Sequence, residues 1–146
     1  EFKKIQTKEL EENIRDTMRI PFERKGIRGK IDLQKGVILG DRDLLLSLLY
    51  NLLDNAVKYC DPDGMIRVTL RGGKHPVILV DNSYMAVGRM ELDRLFDRFY
   101  RADKARTYGS GFGIGLSIAK AIVEKHHGNI KASPLEDNMI RFQVSL

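Results

Sequence analysis

From residue 42 to residue 59 the chain reads RDLLLSLLYNLLDNAVKY, seven leucines in eighteen positions. A run this apolar must be buried, yet its charges bar it from crossing a bilayer, so it belongs to the core of a folded domain. At 100° per residue, Leu45, Leu49, Leu52 and Ala56 share one side of a helix, whereas Asn51, Asn55 and Lys58 fall within about 60° of one another on a different side. A solvated helix face normally carries Glu, Lys and Gln; asparagine is a poor helix former, and two in one stripe lower helix stability. The stripe therefore has two readings, an ordinary solvent face or a site. Amide oxygens are neutral ligands for a hard cation such as Mg²⁺, which keeps most of its waters and is shared with phosphates, and a lysine one turn away reaches a phosphate as a point charge.

Turn and cap chemistry punctuates the rest. Asp41 stands where an N-cap belongs for a helix over 42–59, and DPDG at 61–64 ends that helix. Leu10, Ile14, Met18 and Phe22 line one face of a helix expected over 8–24, with Thr7 as its N-cap and Pro21 placed to kink or shorten it. Two short extended segments follow at 28–33 and 36–39. MIRVTLR alternates as a half-buried strand does, PVILVDN is a short apolar run, and GGKH between them makes a hairpin. A short helix near 90–97, a glycine-bearing loop over 107–115, a helix over 115–127 and strands at 129–133 and 139–145 complete the chain. This mixture implies an α+β domain, with helices on one face of a mixed, mainly antiparallel sheet.

At 146 residues, 42% hydrophobic and 31% charged, the chain has the size and composition of a single globular domain spanning 1–146. Its only cysteine, Cys60, excludes an internal disulfide and a cysteine-based zinc cluster, and points to a reducing compartment. A net charge of +5 suits an anionic partner, but scattered surface lysines produce the same sum. The opening EFKKIQTKELEEN lacks the apolar core of a signal peptide.

A second constellation begins at Tyr108. In YGSGFGIGLSIAKAI, Gly109, Gly111, Gly113 and Gly115 occupy alternate positions and run into a helix. Alternating glycines let successive backbone N–H groups turn toward an anion, and a helix N-terminus adds its positive end. The plain alternative is a flexible surface loop. The lysine of a Walker loop and the preceding strand of a Rossmann fingerprint are both missing, so neither motif applies.

NLLDNAVKY, VILVDN, LFDRFYRAD and GFGIGLSIAKAIVEKHHG together resemble, in sequence and in order, the N box, first glycine box, F box and second glycine box of the catalytic ATP-binding domain of bacterial sensor histidine kinases. The resemblance covers nearly the whole chain, and LFDRFYRAD favours these kinases over anti-sigma-factor serine kinases or gyrase-like ATPases. It implies a two-layer α/β sandwich of the Bergerat type, with ATP and Mg²⁺ as cofactors. By the same resemblance Asn55 holds the metal, Asn51 supports that site, Lys58 reaches the phosphates, Tyr59 lies near the adenine, and Asp81 recognises the adenine amino group. Phe96 and Phe99 anchor a lid, with Arg98, Arg101, Lys104 and Arg106 as candidate phosphate contacts. Gly111, Gly113, Gly115 and Leu116 belong to the segment that wraps the triphosphate. The implied reaction is γ-phosphoryl transfer to a histidine on a separate dimerisation domain, with a response regulator as the downstream partner and no role for nucleic acid. The parent protein is expected to be anchored in the bacterial inner membrane, with this domain in the cytoplasm.

Several residues depart from the family pattern. Ser83 and Met85 stand where the first glycine box carries glycines, and Met139 and Ile140 where a glycine-threonine pair is expected. Side chains at these places are expected to narrow the adenine end of the pocket and weaken binding, which motivates an alternative reading: a degenerate module that acts by docking or regulation. His75, His126 and His127 are the only histidines, none in a phosphoacceptor-like sequence; His126 and His127 precede Gly128 as a helix C-cap would. The chain is thus expected to be a catalytic domain that does not phosphorylate itself alone and, lacking a long heptad pattern, is monomeric.

Overall fold

The structure, a computed structural model, describes residues 1–85, 95–96 and 112–146. Among these residues, seven strands and three helices follow in the order β1 (Lys3–Gln6), α1 (Thr7–Lys25), β2 (Arg28–Gln34), β3 (Val37–Gly40), α2 (Arg42–Tyr59), β4 (Met65–Arg71), β5 (Val77–Ser83), α3 (Phe112–Lys125), β6 (Asn129–Leu135) and β7 (Met139–Ser145). Five strands form one sheet in the order β2-β4-β5-β7-β6, and β1 pairs with β3 in a separate two-stranded sheet. Within the large sheet only β2 and β4 run parallel; the other neighbours are antiparallel. Helices on one face of such a sheet make the α+β sandwich expected from the sequence.

Helix α2 is the spine of the core. Leu45, Leu48, Leu49, Leu52, Leu53 and Ala56 are fully buried, and burying each leucine contributes about 2 kcal/mol. Its start is fixed as the sequence indicates: the Asp41 carboxylate accepts the Leu44 N–H at 3.1 Å. In α1 the residues Leu10, Ile14 and Met18 are buried at helical spacing, while Phe22 is only partly buried because it covers the edge strand. A Cβ on Gly29 would come within 2.7 Å of the Phe22 ring, so only glycine leaves room for it.

Some local expectations change. Thr7 is the first residue of α1, after Gln6, rather than its cap. Its hydroxyl serves a tertiary partner instead, donating to Gln34 O at 3.2 Å and accepting the Gly36 N–H at 3.1 Å. Pro21 does not end α1, which continues to Lys25 and stops at Gly26 with φ of 68°. Helix α3 starts at Phe112, three residues earlier than its sequence pattern suggests. Behind it, His127 takes the left-handed conformation (φ 61°), and the His126 ring is buried with its Nε2 accepting the Asp41 N–H at 3.1 Å. The expected short helix near 90–97 lies outside the described residues, save 95 and 96.

Candidate functional site

The amide stripe of α2 does not face solvent. Asn55 is only 6% exposed, Asn51 is half-buried, and Lys58 alone of the three is exposed. Asn55 Oδ1 has no hydrogen-bond partner. An unpaired buried acceptor of this kind costs about 1–3 kcal/mol, and its place on a helix already disfavoured by two asparagines points to an external partner. Among the described residues no group of three or more His, Cys, Asp or Glu is placed to cage a metal. A cation here would therefore rest on the amide oxygen and on oxygens of a ligand and water, a donor set that fits Mg²⁺.

The neighbouring strand β5 separates two adjacent residues. Ile78 and Val80 point into the helix-covered core with Ile66, Val68, Ile140 and Phe142 from the flanking strands, and the pleat places Asn82 on that same side. Asp81 therefore points to the opposite face. There it is paired in register with Arg67 on β4 and Arg141 on β7. Arg67 donates to Asp81 Oδ2 from Nε at 3.1 Å and from a terminal nitrogen at 2.9 Å. Arg141 donates to Oδ1 at 2.8 Å and to Oδ2 at 3.0 Å. The carboxylate is fully buried under these two side chains, and its hydrogen bond raises the Arg141 pKa above the usual guanidinium value. Asp81 as reader of the adenine amino group is thus corrected: strand parity turns it away from Asn55, and the arginines occupy its oxygens.

Asn82 takes the inward position that Asp81 was expected to hold. It is 1% exposed, and its in-register neighbours are Ile66 and Ile140, which offer no polar group. Its Nδ2 donates to Ser83 O at 3.1 Å, and its Oδ1, like that of Asn55, has no partner. No sequence reading singled it out.

Neither Ser83 nor Met85, the departures in the first glycine box, is buried on the inward face. Ser83 follows Asp81 on the far face, and its hydroxyl accepts the Met65 N–H at 3.0 Å. Met85 is 74% exposed, its backbone held by an N–H donated to Asp61 Oδ2 at 2.9 Å. Ser83 therefore does not narrow the inward side of the strand. Met139, in the other departure, pairs with Ser83, and Ile140 with Asn82.

Lys58 and Tyr59 meet at the C-terminal end of α2. They line a recess of about 240 Å³ with Lys25, Asp61 and Tyr84, in which the Tyr59 and Tyr84 rings stand edge to face at 5.9 Å. Cys60 beside them is buried, and that burial pushes its thiol pKa up, as suits a core residue. Gly113 and Gly115 fall in the first turns of α3, whose leading N–H groups have no intrahelical acceptor. Leu116 sends its side chain into the core. Phe99, Arg98, Arg101, Lys104, Arg106 and Gly111 lie outside the described residues, and Phe96 packs its ring edge to face on Phe142 at 5.9 Å. A second recess, about 600 Å³ between α1 and the β2 edge, shares no lining residue with the amide stripe or Asn82.

Residues 40–146 match the family described as histidine kinase-, DNA gyrase B-, and HSP90-like ATPase. The heme sensor protein HssS of Staphylococcus aureus is 32% identical over 144 residues, 98% of this chain and 31% of its own length. The probable sensor protein PcoS of Escherichia coli is 38% identical over 114 residues, 77% of this chain and 24% of its own. The chain thus spans about a third or less of these relatives. Among solved structures, the catalytic domain of histidine kinase ThkA superposes with a TM-score of 0.85 at 23% identity, covering 100% of this chain and 95% of that one. The mycobacterial sensor histidine kinase MprB gives 0.81 at 24% identity, covering 99% and 97%.

Proposed function

Because the chain belongs to the histidine kinase-, DNA gyrase B-, and HSP90-like ATPase family, as a relative of sensor kinases, we propose that it binds Mg²⁺-ATP and transfers the γ-phosphoryl group to a histidine on a separate dimerisation domain. The observation that carries this reading is Asn55: a buried amide whose oxygen is unpaired, on the inward side of α2, one turn from Lys58. Asn55 would hold the metal with Asn51 in support, and the ion would supply neutralisation of phosphate charge. Lys58 contributes an exposed positive charge near the site, suited to a phosphate oxygen. The first-turn N–H groups of α3, released by Gly113 and Gly115 from side-chain crowding, add oriented donors.

Transfer of this kind asks the protein for positioning and charge, with the bond from γ-phosphorus to the leaving oxygen breaking as a bond to histidine nitrogen forms and ADP departs. The nucleophile comes from another domain, so the chain alone lacks a phosphoryl acceptor. A response regulator is the expected recipient of the phosphoryl group from that histidine. Membrane anchoring of a longer sensor protein belongs to the same proposal; among the described residues no helix is long and apolar enough to cross a membrane. The alternative reading is a docking module without useful nucleotide affinity, motivated by Ser83 and Met85; the placement of the Ser83 hydroxyl on the Met65 N–H and the exposure of Met85 favour the first reading over it.

Calorimetric titration with ATP, with and without Mg²⁺, tests the proposal. Binding strengthened at least tenfold by Mg²⁺ supports it, and no saturable binding under either condition overturns it. Phosphoryl transfer to a separately supplied dimerisation domain tests the second half.

A further inference from the structure

We propose that the sheet face turned away from the helices is a docking surface for an acidic peptide segment of a partner protein, seated in a cleft between Arg67, Arg71 and Arg141. It does not depend on the nucleotide-binding reading above, because Asn55 and Asn82 lie on the other face. Register and pleat put Arg28 and Lys30 of β2, Arg67 and Arg71 of β4, Lys131 of β6 and Arg141 of β7 on this face, against two carboxylates of the same strands, Asp32 and Asp81. Six cations against two anions account for most of the chain's net charge of +5. The charge is therefore gathered on one face and not scattered over the surface.

Within that face, Arg67, Arg71 and Arg141 surround Thr69 and Leu79 in a cleft of about 460 Å³ that Asp32 borders on the β2 side. The arginines have donors to spare. Asp81 takes two N–H groups from Arg67 and two from Arg141, which leaves three of the five on each guanidinium, and its one charge offsets only one of theirs. Arg71 is exposed and pairs with no carboxylate among the described residues, while Asp32 already has Lys30 at 3.9 Å.

Shape then chooses among anions. Arg67 and Arg141 are drawn down onto Asp81 and partly buried, so a side chain that enters the cleft reaches them and a flat layer of lipid headgroups does not. A nucleic-acid backbone would set phosphates against Asp32 and would gain nothing from Leu79. A peptide brings both carboxylates and an apolar group. Along β4, Arg67, Thr69 and Arg71 follow one another at about 6.6 Å, the repeat of alternate residues in any extended segment, and Leu79 stands across from Thr69 in the middle. The segment that fits reads Glu-x-Leu-x-Glu, with one Glu against Arg67 and Arg141, Leu over Leu79 and the other Glu on Arg71.

Fluorescence anisotropy with the labelled peptide Ser-Glu-Ser-Leu-Ser-Glu-Ser, and with its counterpart carrying Gln in place of both Glu, tests the proposal. The intact chain is expected to bind the Glu peptide at least tenfold more tightly than the Gln peptide. Arg71→Glu, at an exposed position at the end of β4, is expected to weaken binding of the Glu peptide at least tenfold with an unchanged melting temperature. Lys8→Glu makes the same charge change on α1 and should alter it less than twofold. Equal or absent binding of the two peptides overturns the proposal, as do equal losses in Arg71→Glu and Lys8→Glu. Tighter binding of a short thymidine oligonucleotide, or of vesicles containing phosphatidylglycerol, than of the Glu peptide overturns it as well.

Discussion

The two faces of β5 treat buried polar groups in opposite ways. On the far face, the Asp81 carboxylate is as deeply buried as any leucine of the core and receives four hydrogen bonds from two arginines. On the inward face, Asn82 and, across on α2, Asn55 are nearly as buried and keep unpaired oxygens. Burial by itself therefore does not mark a site, and neither does charge. What separates the two faces is whether the protein completes its own hydrogen bonding, since a fold selected for stability alone fills such positions with partners or apolar groups.

Removing Asp81 should break the comparison most forcefully. Asp81→Ala leaves two guanidinium groups side by side without their counter-charge; both are partly solvated, so a loss of about 2–4 kcal/mol is expected in urea unfolding. Mg²⁺-ATP affinity of the folded fraction should stay within twofold. A stable variant that no longer binds ATP would move the function back to the far face. Asn55→Leu should do the reverse: Mg²⁺-dependent binding vanishes in a calorimetric titration, while the apo chain gains about 1–2 kcal/mol because an unpaired acceptor leaves the interior. Unchanged binding would remove Asn55 from the site.

A smaller effect sharpens the contrast at the other end of α2. Asp41 has its pKa held below its ordinary value, first by its hydrogen bond to the Glu1 ammonium and then by the Leu44 N–H it caps. The unfolded chain then binds the Asp41 proton more tightly than the folded one. This contribution is fully present above the unfolded value near 3.8 and fades as pH falls through the lower folded value. Asp41→Asn keeps the capping oxygen, so its melting temperature should lie slightly below wild type at pH 7 and converge with it toward pH 3. The smallest expected change is at Met85. With a side chain so exposed, Met85→Gly should shift ATP affinity by less than twofold, and a clear gain would mean that the methionine reaches the base after all.

Much of the fold was legible, and for identifiable reasons. The bounds of α2 follow from leucine periodicity, an Asp cap and a DPDG turn; β4 follows from strict alternation. Strand β1 was not legible, because only Ile5 of its four residues is buried and its partner β3 is distant in sequence. Nor was the parallel pairing of β2 with β4, which is set by the path of the chain after α1. In the site, Asn51, Asn55 and Lys58 were readable from helical spacing. Asn82 was not, because Ile78 through Asn82 are all buried, and a strand covered on both sides loses the alternation that reveals its facing. A signal was nonetheless present: pairing the hairpin outward from Arg71 opposite Val77 sets Arg67 beside Asp81, and a charge pair on one face leaves Asn82 for the other.

The same arginine-aspartate ladder checks the parity of the sheet. A slip of β5 by one residue would flip every side chain of the strand, driving the Asp81 charge in among isoleucines and stranding two guanidinium groups outside, with Asn82 turned away from α2. Misregistered pairings are thereby penalised at the very residue that adjoins the inward-facing amide. Side chains of three strands on the face away from α2 thus keep the reading frame in which an asparagine, and not the aspartate beside it, looks inward.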